Sequence, residues 1–396
     1  MLVHRKRSVS LLTLALLSLI LLPGCWSAHE LNNEFILLSE AVDKVGDQIQ
    51  VTFQIITPEQ DSAGKSSSGK SSSDSNTPLF LVTGEGKTIA EAFKDYHRKL
   101  PRYIYAGHLE VVFISEDIAK EGLMPYLDAY ARHFWSIDSS WLIITPGPAR
   151  DMLTVQKSTI KYPSMGLEER VKKHAIKITN LNDFLVNFHS DSGMQVLTSA
   201  KIESPSKLPK DSEMQEWIVS NTALFNQDRL VGYLSPQEGE FYNAFTQGFT
   251  RRDFPLKTSP FCPEGKLTVT LMGKPPKIKA IPSDEGLALS VKVDLEFELA
   301  EDTCSVKLTG EKDVKALEES VNENYSEHLR GMIEHTQKEK LDIFNIADRL
   351  HASHPELWLE VKDNWPEVYS DLPLQIEVDA RYRHSRAMFT GPGYKE

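Results

Sequence analysis

The side chain with the clearest chemistry is the thiol of Cys25. It closes the run Leu22-Pro23-Gly24-Cys25, behind a positive segment (Arg5, Lys6, Arg7) and a largely apolar stretch of 14 residues, Val9 to Leu22. That stretch is short for a membrane span of ~20 residues and suits the h-region of a signal peptide. A small residue directly before a cysteine at the end of such a run is the pattern of a bacterial lipoprotein signal. In that pattern the thiol takes a diacylglycerol group, the chain is cut between Gly24 and Cys25, and the new amino group is acylated. Two acyl chains are about what stable anchoring requires. An uncleaved membrane anchor and an ordinary signal with a coincidental cysteine are the weaker alternatives.

Other chemical patterns carry less. Gly64-Lys65-Ser66-Ser67-Ser68-Gly69-Lys70-Ser71 matches the phosphate-loop spacing, but Ser72 to Pro78 cannot supply the helix whose N-terminus would meet the phosphates. Ser62–Lys65, Ser67–Lys70 and Ser204–Lys207 have the S-x-x-K spacing of penicillin-binding enzymes without the companion S-D-N and K-T-G elements. His351, His354 and Glu356 are zinc-ligand types, but the spacing is not H-E-x-x-H and surface histidines explain them better. Cys262 and Cys304 remain once Cys25 is lipidated. Outside the cytoplasm they can pair, closing a loop of ~40 residues, or stay as buried free thiols. No set of residues reads as a catalytic constellation, a metal site or a cofactor site.

Composition sets the frame. The chain has 396 residues, 40% hydrophobic and 25% charged, which is enough for two or three domains. The net charge is −12; without Arg5, Lys6 and Arg7 the mature chain carries −15, which argues against broad nucleic-acid binding. Only the N-terminus holds a long apolar run, so the chain is not multi-spanning.

The elements suggest an α+β protein of three mixed domains. Residues 1–24 are the signal and 25–200 an N-terminal α/β domain. That domain begins with a hairpin (Phe35–Glu40, Gln48–Thr57) around Asp43–Asp47, followed by a flexible Ser/Gly/Lys loop at 61–77. Thr88 and Glu91 form a capping box for a helix with Ile89, Ala92, Phe93 and Tyr96 on its buried face. A strand at 108–115, a helix carrying Ile118, Leu123, Leu127, Tyr130 and Phe134, and a strand at 141–145 complete the crossover pattern. The polar stretch 201–213 reads as a boundary before a middle domain, 201–275, with a hairpin around Asn226-Gln227-Asp228. The C-terminal domain, 276–396, reads as an antiparallel sheet covered by a long helix and shorter ones. Every odd position from Leu287 to Leu299 is apolar, and Leu374–Tyr382 repeats the pattern. Val314, Leu317, Val321, Tyr325, Leu329 and Met332 mark the long helix. A second helix covers Ile343–Leu350, and a third starts near Pro355 with Ser353 as its cap.

Taken in order, several short motifs resemble one family, the Ger(x)C proteins: C-subunit lipoproteins of the nutrient germinant receptors of bacterial spores. Gly24-Cys25-Trp26 with Glu30-Leu31-Asn32 is similar to the family's mature start, with Ser27 in place of its usual Asp. Val51 to Pro58 is similar to its second strand. Gly84, Gly86, Thr88, Ile89, Glu91 and Ala92 match its G-x-G-x-T-I-x-E-A segment; His108, Ala119 and Gly122 fit the next. Ala223-Leu224-Phe225, Asp228, Leu230-Val231-Gly232 and Glu238 match another. Asp342-Ile343-Phe344, Pro355, Trp358, Trp365 and Leu372-Pro373 resemble the closing segment, where Asn345 and Ala347 replace two glycines.

The resemblance implies a lipid-anchored, non-enzymatic subunit on the outer face of the spore inner membrane, beside integral-membrane A and B subunits. It implies no cofactor, no nucleic acid and no nutrient-contact residue; only Cys25 carries over. The alternative is a solute-binding lipoprotein of an importer, which would fold as two similar α/β lobes around a cleft. A lipid-anchored hydrolase is weaker still, since no nucleophile or metal set is apparent.

Overall fold

The computed structural model describes residues 34–57, 79–132, 139–155, 167, 178–203, 215–257, 259–261, 266–283, 286–303, 308 and 310–383. The expected loop at 61–77 lies outside them.

The chain begins with the expected hairpin. β1 (Phe35–Val45) and β2 (Gln48–Ile56) pair antiparallel, and the turn is tighter than expected. Gly46 at φ +59° and Asp47 make a two-residue loop, a geometry that favours glycine. β3 (Leu79–Gly86) leads into α1 (Ile89–Lys99). The Thr88 hydroxyl accepts from Glu91 N–H at 3.2 Å, and the Glu91 carboxylate reaches back to Lys87 N–H at 2.8 Å. α1 lies so close to β3 that a Cβ on Gly84 would stand 2.1 Å from the Ala92 carbonyl oxygen. The motif glycines therefore serve close packing.

After β4 (Ile104–Tyr105) and β5 (Val111–Ser115), the single helix expected through Phe134 is two helices, α2 (Glu116–Glu121) and α3 (Met124–Arg132). Gly122 at φ +122° separates them. Asp228, from a distant hairpin turn, accepts Leu123 N–H on its carbonyl at 2.8 Å and Met124 N–H on its carboxylate at 3.1 Å. That tertiary cap starts α3 afresh. β6 (Trp141–Thr145), α4 (Ala149–Met152), α5 (Leu181–Phe188) and β7 (Met194–Glu203) follow. β1, β5, β6 and β7 are mutually parallel neighbours.

The stretch 201–213 does not end this sheet. β8 (Glu216–Asn226) pairs antiparallel with β7 on its far side, and β9 (Arg229–Leu234) pairs with β8. The order is β3-β2-β1-β5-β6-β7-β8-β9, with β4 alongside β1. After α6 (Pro236–Gln247), β10 (Phe249–Pro255) and β11 (Leu267–Gly273) join a second sheet. Among the described residues, 201–275 is thus shared between two sheets and has none of its own. A polar, proline-bearing composition does not distinguish a connection between strands of one sheet from a connection between domains.

The second sheet also holds β12 (Lys277–Ser283), β13 (Gly286–Asp302) and β14 (Leu374–Tyr382). In β13, Leu289, Val291, Val293, Leu295 and Phe297 are buried, while Lys292, Asp294 and Glu296 face solvent. The sheet is mixed, which corrects the antiparallel expectation: β14 runs parallel to β13. Four helices connect the two, namely α7 (Glu311–Lys338), α8 (Ile346–Ser353), α9 (Pro355–Val361) and α10 (Trp365–Asp371). A long crossover returns the chain to the end where it started, so the next strand is parallel. Alternation of apolar residues is blind to that direction. α7 buries Leu317, Val321, Tyr325, Leu329 and Met332 as expected. It also covers β14: Asn322 accepts Ala380 N–H and Glu318 accepts Tyr382 N–H, both at 2.9 Å. Those bonds leave the strand less open to pairing with another chain. Ser353 does not cap α9; its hydroxyl donates to Arg349 O, and His354 holds the cap position.

One face of the first sheet packs α1, α2, α3 and α5 around Phe53, Phe93, Tyr96, Tyr130 and Phe184; the other carries a smaller cluster with Phe113 and Trp217. The core of the second sheet extends onto Met194, Val196, Leu224 and Leu234 of the first, which makes the two layers continuous.

Candidate functional site

Gly24 and Cys25 lie outside the described residues, as do Cys262, Cys304, the phosphate-loop-like run and the S-x-x-K pairs. His351 sits on α8. Its Nδ1 is 2.6 Å from an Asp191 carboxylate oxygen, and its ring stacks on Trp358 at 5.9 Å. Among the described residues no group of three His, Cys, Asp or Glu side chains is arranged to hold a metal.

Two features stand out on β1, both carried by acids inside an apolar strand. Glu40 is buried beneath α1 and α3, where the Tyr130 hydroxyl donates to its carboxylate. Burial pushes its pKa up to about 8 against that bond. The Tyr96 hydroxyl in the same core has no hydrogen-bond partner. Asp43, also buried, accepts Ala149 N–H at 2.6 Å and Arg150 N–H at 2.8 Å, which fixes the start of α4. Burial raises its pKa more than these two bonds lower it. Beside it, at the carboxyl ends of β1, β5 and β6, lies a cleft of about 340 Å³. Asp43, Lys44, Ser115, Glu116, Asp117, Pro146–Pro148, Arg150 and Asp151 line it. Ligands of open α/β sheets commonly bind at this end. The lining holds neither histidine nor cysteine. The cleft is suited to polar recognition, and the buried Ser115 hydroxyl in its lining has no hydrogen-bond partner. Sequence reasoning placed Glu40 at the end of the first strand and Asp43 in the turn and gave neither a role; the signal was an acid at 40 and at 43 in a run that continues as strand to Val45.

The motif residues turn out to be joints. Gly84 and Gly86 seat α1, and Gly122 meets Asp228. Ser235 and Glu238 form a capping box on α6, and His335 of α7 reaches Glu238 at 2.7 Å. Asp342 is buried and accepts Ile346 N–H, Ala347 N–H and Trp365 Nε1–H at 2.9, 2.8 and 3.1 Å. Burial raises its pKa to about 6 despite these donors. Asn345 sits at φ +53°, a backbone geometry glycine would adopt without strain. Asp348 then accepts Asp191 and Ser192 N–H groups, which ties α8 to the first sheet. No helix among the described residues is long and apolar enough to cross a membrane.

Two family models match consecutive parts of the chain: the spore germination protein N-terminal domain over residues 27–202, and the spore germination B3/GerAC-like C-terminal domain over 220–386. Relatives in Bacillus subtilis (strain 168) include the putative spore germination protein YfkR, 24% identical over 94% of this chain and 95% of its own. Spore germination protein KC is 24% identical over 96% of each chain. The crystal structure of the GerBC protein shares the fold, with a TM-score of 0.53 and 19% identity over 87% of this chain and 97% of that one. This chain belongs to the Ger(x)C family of spore germination proteins.

Proposed function

We propose that this chain is the lipid-anchored C subunit of a nutrient germinant receptor, held through Cys25 on the outer face of the spore inner membrane. It acts in assembly or signalling beside integral-membrane A and B subunits and is not an enzyme. The observation that carries the reading is the pair of family matches, which cover both sheets and begin at residue 27, two positions after Cys25. The motif residues support it, since they join elements to one another and do not converge on a reaction centre. A solute-binding lipoprotein would have two similar lobes; here the two sheets differ in strand number and order. The cleft is the feature described above that favours solute binding.

The test is co-purification from sporulating cells of tagged full-length protein and of Cys25→Ala, with mass spectrometry of spore inner-membrane fractions. Diacylated Cys25 and two polytopic partners, both lost in the variant, are expected. An importer permease and ATPase in their place would move the assignment to solute capture, and an unmodified Cys25 would remove the anchor.

A further inference from the structure

From the point where the anchoring segment enters the fold, we infer that the edge formed by Tyr103, Tyr105, Arg102 and Phe35 rests on the bilayer surface. The inference assumes the lipid on Cys25 proposed above. Phe35 is ten residues beyond Cys25, so even a fully extended connection spans at most ~35 Å. The Phe35 N–H donates to the Tyr103 carbonyl at 2.8 Å, and β4 pairs with the first residues of β1 through Phe35–Ile104 and Ile36–Tyr105. Tyr103 and Tyr105 are 65% and 40% exposed while Ile104 between them is buried, so the two phenol rings leave the strand on the same side. The Arg102 guanidinium lies 5.8 Å from the Phe35 ring. A ring with an apolar body and a polar tip is the side chain that suits the head-group layer, and an arginine there favours anionic lipid. The location matters because the rest of the body is acidic, and head groups of like charge would repel it. The parallel strands start at this edge. Seating it on lipid therefore turns their carboxyl ends, with the polar cleft, away from the membrane.

The experiment uses full-length lipidated protein on phosphatidylglycerol vesicles, with and without bromine on the acyl chains. Tyr103→Trp and Leu359→Trp each add one reporter at a well-exposed position, Leu359 being 62% exposed on α9. Bromolipid is expected to quench most of the emission gained in Tyr103→Trp and little of that gained in Leu359→Trp. Equal quenching of the two, or none, overturns the inference. So does a Tyr103→Trp reporter that bromolipid leaves bright but that co-reconstituted membrane subunits shield from acrylamide, since a protein would then cover the edge. Mass spectrometry of the same samples separates the premises. Lipid on Cys25 without quenching sinks the docking edge alone, whereas absent lipid removes the anchor and the docking edge with it.

Discussion

Glu40→Gln is the substitution that most directly tests the reading of the N-terminal core. Glutamine keeps the shape and the acceptor for Tyr130 and removes the titration. The folded chain holds the Glu40 proton up to about pH 8, while an unfolded carboxyl releases it near 4.5. The raised pKa means the stability contribution of neutral Glu40 is complete below pH 4.5 and is lost as pH rises through about 8. At 1.36 kcal/mol per unit, the loss grows from about 1 kcal/mol at pH 5 to about 4 at pH 8; these are upper values, since water reaching the site would reduce both. The variant escapes the loss. Its stability relative to the parent chain is therefore expected to rise by about 3 kcal/mol between pH 5 and pH 8. Urea unfolding at pH 5, 6, 7 and 8, followed by fluorescence and circular dichroism, reads the difference directly. A difference that stays constant across this range would refute the reasoning, because it would mean that Glu40 is ionised and hydrated in the folded chain.

Substitutions at three further positions probe the joints and the second core. Asp342→Ala leaves three buried donors without an acceptor and is expected to lower unfolding free energy by about 2–4 kcal/mol, read by urea midpoint. Asn345→Ala is expected to be less stable than Asn345→Gly by about 1–2 kcal/mol; both lose the Ser192 contact, so their difference isolates the backbone at φ +53°. Equal midpoints would show that the backbone relaxes. Tyr325→Phe removes a buried hydroxyl that has no partner in the second core and is expected to match or raise the thermal midpoint; a clear drop would reveal a bonded group there.

Local signals were legible wherever local physics decides. The hairpin at 35–56, the Thr88 cap, the stripe of α7 and the alternation of β13 follow from periodicity, capping and burial of one face, and all four are present. Legibility ended where a distant partner intervenes. Nothing near Gly122 announces that Asp228, over a hundred residues away, will start a new helix at Met124.

What the sequence determined by itself is the elements with a strong local signal, the α+β class and, through the order of its motifs, the family. Each rests on neighbours within a few positions or on a pattern that needs no folding to be read. What only the tertiary structure decided is how those elements meet. β14 runs parallel to β13 because a crossover of four helices brings the chain back to its starting end. Strands on either side of 201–213 share one sheet, and the acids at 40 and 43 acquire raised pKa values because the sheet is covered on both faces. Direction, partnership and desolvation are properties of residues far apart in the chain, and they arise only when packing brings those residues together.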